Sequence, residues 1–356
     1  MRILVTTDAW RPQVNGVVRT YERLEEEMLN LDCELAILSP SEFRSVPCPT
    51  YPEIRLAVPG YQYLIERLAC ISPDAVHIAT EGPVGWMTRT YCLNRGIPFT
   101  TAFHTRFPDY LKSRFGIPVD WTFAAQRRFH NAGDGMMVAS QSLADELAGR
   151  KFDRLMPWSR GVDTELFRPR PARRFGPGPV FLYVGRVAIE KNISAFLDLD
   201  LPGRKVVVGT GPLLETLKAQ YPDVVFTGKQ VGEDLAECYA SADVFCFPSM
   251  TDTFGIVLIE AMASGLPVAA YPVTGPIDNV VDGISGALDA DLQAACLRAL
   301  DVDRGGVRAH AETFSWENSA RLFLSNIETA LFARQGRSVP ARRKRLRRRR
   351  QATSGI

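Results

Sequence analysis

No stretch of the 356-residue chain offers the run of about 18 or more apolar residues that a membrane-spanning helix needs. Cysteine is sparse and unpatterned: seven residues (Cys33, Cys48, Cys70, Cys92, Cys238, Cys246, Cys296) without one C-x-x-C pair. That argues against a disulfide framework or a structural zinc site and reads as reduced thiols of a cytosolic protein. The N-terminus MRILVTTDAW lacks the plan of a signal peptide and enters an apolar strand pattern at once, so we expect a cytoplasmic chain. Neither G-x-G-x-x-G after a first strand nor G-x-x-x-x-G-K-[ST] is found, which disfavours the common dehydrogenases and ATPases. Gly209 and Gly211 make only a lone G-x-G.

What is present is the composition of a soluble globular protein, 46% hydrophobic and 23% charged, with length enough for two domains. The net charge of +2 hides an asymmetry. Ten Lys or Arg and no Asp or Glu lie in residues 334–356, so residues 1–333 carry −8. The tail RRKRLRRRR cannot pack against itself and is expected to be disordered.

Short β-branched runs alternate with helical segments, the signature of βαβ units and parallel sheets. RILVTTD (2–8), CELAILSP (33–40), AVHIAT (75–80), FTTAFHT (99–105) and GMMVAS (135–140) read as strands, with helices at VVRTYERLEEEML (17–29) and SLADELAGR (142–150). Near residue 160 the Pro-, Gly- and Arg-rich SRGVDTELFRPRPARRFGPGPV breaks the rhythm as a linker would. Strands resume at VFLYVGR, KVVVGTG, VVFTGK, VFCFPS and PVAAYP, with helices at LLETLKAQY, LAECYASA and IVLIEAMAS. We therefore expect an α/β protein of two Rossmann-like, doubly wound domains facing across a cleft, where loops at the carboxyl ends of the strands hold a ligand. The expected boundaries are residues 1–165, 166–315, a helix at 316–334 that crosses back to the first domain, and the tail 335–356.

SMTDTFGIVLIEAMASGLPV (249–268) carries the densest chemistry. A helix starting after TDTFG would present the unpaired N–H groups of Phe254, Gly255 and Ile256 to an anion such as a diphosphate. Gly255 would let the ligand approach the backbone. Glu260 could accept hydrogen bonds from a pair of hydroxyls such as those of a ribose, and Asp252 from those of another sugar. Equally, Asp252 could cap the helix and Glu260 could lie on the surface. Upstream, Arg186 and Lys191 in VGRVAIEKN could clamp a diphosphate or be solvated. Asp8 ends the first strand and reads either as a cleft residue or as a cap.

GRVAIEKN, VVGTGPLLETL and SMTDTFGIVLIEAMASGLPV, in that order, resemble the retaining GT-B glycosyltransferases of sequence family four. In the first half, TTDAWRPQVNGVVRT is similar to their acceptor-side glycine loop, FHTRFPDY carries their histidine, and SRGVDTELFRP matches their domain crossover. The resemblance spans about residues 1–330. It implies that Asp252 holds donor-sugar hydroxyls with the amides around Phe254, Gly255 and Ile256, and that Glu260 holds the nucleotide ribose. Arg186 and Lys191 would grip the diphosphate, while Asn15, Gly16 and Val17 would offer backbone N–H groups from the other domain. His104 would contact the donor sugar near the reacting centre as a positioning donor, and Gly211 and Pro212 would line the nucleotide pocket. Asp252 departs from the Glu of many relatives by one methylene. The implied chemistry retains the α configuration, needs no cofactor beyond the nucleotide-diphosphate sugar, and needs no metal. The last point fits the lack of D-x-D on a suitable strand end.

For the acceptor, FPDYLKSRFGIPVDWTFAAQRRFH (107–130) interleaves aromatics with Lys and Arg, as segments that settle on anionic membranes do. Trp121, Phe123 and Phe129 could instead be core. The basic tail would add roughly 1 kcal/mol of attraction per residue near an anionic leaflet. TEGPVGW (80–86) and the whole first half are most similar to relatives that glycosylate lipids, including diacylglycerol and phosphatidylinositol, or are GDP-mannose-dependent mannosyltransferases. We therefore expect a hexose transferase with a lipid acceptor, held peripherally at the inner face of the plasma membrane. The alternative is a GDP-mannose-dependent α-mannosyltransferase using a phosphatidylinositol-type lipid, a soluble acceptor or a polysaccharide. An epimerase or phosphorylase of the same fold fits the crossover and the TDTFG stretch less well. A nucleic-acid binder would carry its positive charge on the folded face, and the acidic body speaks against it.

Overall fold

A computed structural model describes residues 1–334 apart from 14, 49–50, 59, 109–110 and 113–115. The tail 335–356 and its expected disorder lie outside the described residues, as does part of the 107–130 segment.

Two parallel six-stranded sheets organise the chain. The first runs β2-β1-β5-β6-β7-β8, from β1 (Arg2–Thr6), β2 (Glu34–Leu38), β5 (Ala75–Ile78), β6 (Phe99–Phe103), β7 (Gly135–Val138) and β8 (Leu155–Pro157). An antiparallel pair, β3 (Ser45–Cys48) and β4 (Tyr51–Ala57), stands apart. The second sheet runs β11-β10-β9-β12-β13-β14, from β9 (Val180–Val184), β10 (Arg204–Val208), β11 (Val225–Gly228), β12 (Val244–Phe247), β13 (Val268–Ala270) and β14 (Gly286–Leu288). Every residue of β6 and of β9 is buried, because helices cover both faces of a parallel sheet. Such strands read as apolar or β-branched runs without in–out alternation, which is why the sequence marks them. It misses β8 and β14, each only three residues long, and the Pro-containing β3–β4 pair.

The helices of the first half are α1 (Gly16–Leu29), α2 (Tyr61–Ile71), α3 (Pro83–Arg95), α4 (Val119–His130) and α5 (Gln141–Gly149). Those of the second are α6 (Ile193–Leu197), α7 (Leu214–Gln220), α8 (Gly232–Ala240), α9 (Ile256–Ala263), α10 (Pro276–Asn279), α11 (Leu292–Ala299) and α12 (Arg304–Ala311). In α1, Val18, Tyr21, Leu24 and Met28 recur at helical spacing and are buried, giving the helix one core face. In both sheets the strand order reverses beside the first strand of the set, between β1 and β5 and between β9 and β12. Connections leave in opposite directions there, so a crevice opens at the carboxyl ends of the strands.

The final helix, α13 (Trp316–Arg334), follows the second sheet in sequence but packs on the first. Ala320, Phe323, Leu324 and Ile327 share a core with Ile3, Val5, Tyr21, Ala102, Met137 and Trp158. Ser319 Oγ donates to the Ser159 carbonyl at 2.7 Å and Asn326 Nδ2 to that of Pro157 at 2.8 Å. The chain returns past Gly161, where a Cβ would lie 2.3 Å from the Trp316 nitrogen and 2.5 Å from its Cα. Backbone cannot yield as a side-chain tip can. Gly161→Ala is therefore expected to lower the urea midpoint, by overpacking worth ~1–3 kcal/mol. Gly149→Ala, with nothing within 4 Å of the added methyl at the end of α5, should leave it unchanged or raised.

Candidate functional site

On the second sheet, the loops after β9 and β12 meet at the reversal of strand order. Asn192 Nδ2 donates to the Pro248 carbonyl at 3.1 Å and Thr251 Oγ1 to that of Glu190 at 3.3 Å, which ties the two loops together. Across this join, Lys191 Nζ donates to Asp252 Oδ1 at 2.6 Å. The other carboxylate oxygen, Oδ2, is buried and bonds nothing among the described residues, and the same holds for the hydroxyl of Ser249. A buried acceptor without a donor is costly, on the order of 1–3 kcal/mol, unless something else brings the donor. Arg186 stands just after β9, and its carbonyl accepts the Tyr183 hydroxyl at 2.8 Å.

Asp252 does not cap the helix that follows it. The residue at the N-cap of α9 is Gly255, in the left-handed region at φ +79°, with no side-chain cap. Here glycine is demanded first by that φ; an added Cβ would also lie 2.9 Å from Leu258 Cδ1. Leu258 N–H donates to the Gly255 carbonyl and Asn279 Nδ2 to that of Phe254, which fixes the turn. Glu260 is not a surface carboxylate: it is 3% exposed. Its Oε2 accepts from the Tyr239 hydroxyl at 2.9 Å, and its Oε1 from Arg19 Nη1 at 2.7 Å. Burial pushes its carboxyl above the ordinary range, and Arg19 and Tyr239 oppose the rise.

Gly211 serves packing, since a Cβ there would meet the Val187 carbonyl oxygen at 2.2 Å; Pro212 beside it is exposed. Asp289-Ala290-Asp291 does follow the short β14 as a D-x-D run. Both carboxylates are committed, Asp289 to Arg298 and Asp291 to the first amides of α11.

From the first half, α1 aims its N-terminus at that of α9: a Cβ on Gly16 would stand 3.5 Å from Ile256 Cδ1. Asn15 Oδ1 caps α1 by accepting from Val17 N and Val18 N, each at 3.0 Å. The Val17 amide is thus already in use, and an anion meeting this terminus as it stands meets the cap first. Asp8 turns away to cap α3, accepting from Val84 N at 2.8 Å and Gly85 N at 3.2 Å, so its role in the structure is the cap.

His104 follows β6, and its carbonyl accepts from Thr253 Oγ1 of the other half at 2.9 Å. Its ring is engaged at both nitrogens: Arg160 Nη2 lies 3.3 Å from Nδ1 and the Tyr21 hydroxyl 3.0 Å from Nε2. A guanidinium only donates, so Nδ1 accepts and the proton of the neutral ring sits on Nε2. Tyr21 must then donate to His77 Nε2 at 2.8 Å, and His77 Nδ1–H to Thr100 Oγ1 at 2.8 Å. Both imidazoles are neutral at physiological pH: burial, then Arg160, presses His77 down to about 3 and His104 well below the usual value. Neither ring nitrogen of His104 is open to a sugar in this arrangement, whereas its carbonyl points at the opposite half.

Arg19 and Tyr239 hold Glu260, Arg160 and Tyr21 hold the His104 ring, and Thr253 binds its carbonyl; these residues, with Ser249, escape sequence reasoning. One signal existed for Arg19. A cation near the N-terminus of a helix opposes the helix dipole and so suggests another duty.

A family model described as "Glycosyltransferase Family 4" matches residues 14–166, and one described as "Glycosyl transferases group 1" matches residues 178–301. A GDP-mannose-dependent alpha-mannosyltransferase of Mycobacterium tuberculosis is 30% identical over 317 residues, 81% of this chain and 83% of the relative. An alpha-monoglucosyldiacylglycerol synthase of Streptococcus pneumoniae is 28% identical over 348 residues, 84% of this chain and 78% of the relative. In structure, a sucrose-phosphate synthase from Thermosynechococcus elongatus superposes with a TM-score of 0.74 at 21% identity, covering 94% of this chain and 99% of that one. With motifs, sheet order and cleft in agreement, the chain belongs to the family 4 (group 1) glycosyltransferases and has the GT-B fold.

Proposed function

We propose that this glycosyltransferase is retaining and metal-independent, moving a hexose from a nucleoside-diphosphate sugar to a membrane lipid such as diacylglycerol. The observation that carries the reading is Asp252, a partly buried carboxylate with one oxygen on Lys191 and the other, itself buried, without a partner among the described residues. A donor-sugar hydroxyl satisfies that oxygen. The resulting roles place the diphosphate between Arg186, Lys191 and the N-terminus of α9, with the ribose on Glu260. The His104 carbonyl, once Thr253 yields it, contacts the sugar. As the bond from the anomeric carbon to the phosphate oxygen breaks, charge grows on the phosphate, and the two cations and the helix terminus neutralise it. The acceptor hydroxyl enters on the same face, bonds to the anomeric carbon and passes its proton to the departing phosphate oxygen, so the configuration is kept. Residues 1–165 with 316–334 form the acceptor-side unit in this reading, and 166–315 the donor-side unit.

The lipid acceptor rests on the likeness to the diacylglycerol-glycosylating relative and on one surface feature. Phe123 and Phe129 of α4 are core, but Trp121 is 74% exposed. Ala124, Ala125 and Arg128 continue the same outward stripe. Arg89 on α3 stacks over Trp86 at 5.1 Å. An outward Trp backed by arginines suits the headgroup level of an anionic leaflet, and no helix among the described residues is long and apolar enough to cross a membrane. We place the enzyme peripherally at the inner face of the plasma membrane. The mannosyltransferase relative supports the second reading, a GDP-mannose donor with a phosphatidylinositol-type lipid or a soluble acceptor.

The deciding assay offers radiolabelled UDP-glucose, UDP-glucuronate, UDP-galactose and GDP-mannose separately with membrane lipid extract. Label should enter lipid from one donor, with α configuration by NMR, and vanish with Glu260→Ala. If nucleotide binds yet no donor labels a lipid, the lipid acceptor is wrong and a soluble saccharide takes its place. Lys191→Met should lower kcat by about 10²–10³-fold, the loss typical of one charge-stabilising donor. Trp121→Ser should weaken co-sedimentation with anionic vesicles several-fold while leaving nucleotide binding unchanged; equal binding by both proteins would detach this helix from the membrane.

A further inference from the structure

The two oxygens of Glu260 are held from opposite sides of the cleft. Tyr239, on α8, belongs to the same half; Arg19, on α1, belongs to the other. Each carboxylate oxygen has two lone pairs, so one bond to each leaves one acceptor site on each. Two neighbouring acceptor sites match a vicinal diol. We propose that Arg19 is a positioning residue for the donor nucleotide, reaching over from the acceptor-side half to hold Glu260 charged and aimed at the ribose diol. The site for the nucleoside diphosphate is then complete only when the halves are together. This inference rests on Glu260 being the ribose-binding residue.

Three observations support it. The contact is short, 2.7 Å, and its carboxylate is buried while Arg19 is partly so. The cation stands near the start of a helix, where the dipole opposes it. The N-termini of α1 and α9 already face each other through Gly16 and Ile256, so the reach needs no rearrangement. Among the described residues, nothing else balances the charge of Glu260. Arg308 and Arg304 of α12 reach the Ala263 and Gly265 carbonyls at the far end of α9. Asp278 of α10 is taken by Ser142, and the sheet beneath presents Phe245, Phe247 and Val268.

The sign of the pH effect follows. Burial raises the carboxyl of Glu260 and Arg19 opposes the rise, so removing Arg19 lets it climb further. A ribose hydroxyl donates best to the ionised form, which is lost as pH falls. Affinity should therefore fail at a higher pH without Arg19 than with it.

The test is calorimetric titration of the full-length protein with UDP and GDP, and with their 2′,3′-dideoxy analogues, from acidic to mildly alkaline pH. For the tighter-binding nucleotide, Arg19→Met is expected to weaken binding about tenfold or more at neutral pH. It should also shrink the preference for ribose over dideoxyribose and move the acid limb of binding to higher pH. Arg19→Lys should restore part of all three. Thermal unfolding of each variant separates these effects from loss of fold, and a lysine that folds but restores nothing counts against positioning by charge. If Glu260→Gln loses the ribose preference while Arg19→Met keeps both the preference and the acid limb of the parent, the role of Arg19 is overturned and the ribose site stands. If Glu260→Gln itself keeps the full preference, the ribose site is wrong and the role of Arg19 falls with it.

Discussion

A carboxylate withdrawn from water stays charged only if other groups replace the solvent, and Glu260 is the place where this protein meets that demand. Tyr239 from beneath and Arg19 from across the cleft supply the two hydrogen bonds. Because Arg19 comes from the other half, the electrostatic need of a single side chain helps to hold the two halves together. Removing one partner of such a pair leaves a buried charge uncompensated, far costlier than the pair's net worth.

Other contacts cross the same cleft. Thr253 donates its hydroxyl to the His104 carbonyl, and the Ser142 amide in the first turn of α5 donates to Asp278. Within the first half, Arg23 meets Asp163 at 2.6 Å where the chain leaves for the second. The contacts across the cleft are polar and partly exposed, individually worth little, so the halves are joined by contacts that a ligand can replace one at a time. In the proposed mechanism, Lys191 with Asp252 and Thr253 with His104 act as placeholders for the groups of the donor.

The fold was legible because parallel strands buried on both faces leave short apolar or β-branched runs without in–out alternation, as in VFLYV and FTTAF, separated by helical segments. The turn before α9 was legible as well, since a Gly between an aromatic and an apolar helix has few other reasons to be there. What could not be read was whatever depends on side-chain direction. Arg19 and Glu260 are 241 positions apart, and nothing local to either predicts the other. The ring of His104 was expected to offer a nitrogen to the ligand. Instead the buried guanidinium of Arg160, stacked 3.9 Å above Trp158, fixes its tautomer, and the Tyr21 hydroxyl accepts the hydrogen bond from its Nε2–H. Asn15, Gly16 and Val17 sit at the facing helix terminus, but the Asn15 side chain already occupies the Val17 amide. The partnerless hydroxyl of Ser249 has no signature in sequence, because burial without a donor or acceptor exists only in three dimensions.

The return of α13 to the first sheet bears on how the molecule is made. A ribosome releases β1, α1 and β5 early, yet the aromatic and aliphatic side chains that close their core, Phe323 and Ile327 among them, are among the last described residues to be synthesised. Until then Tyr21, Trp158 and the inner face of β1 lack part of their cover, and the nascent chain must complete the whole second sheet before the first is sealed. The half that comes first in sequence is therefore the half that finishes last, and its exposed interior sets the interval during which the growing chain is open to misassembly.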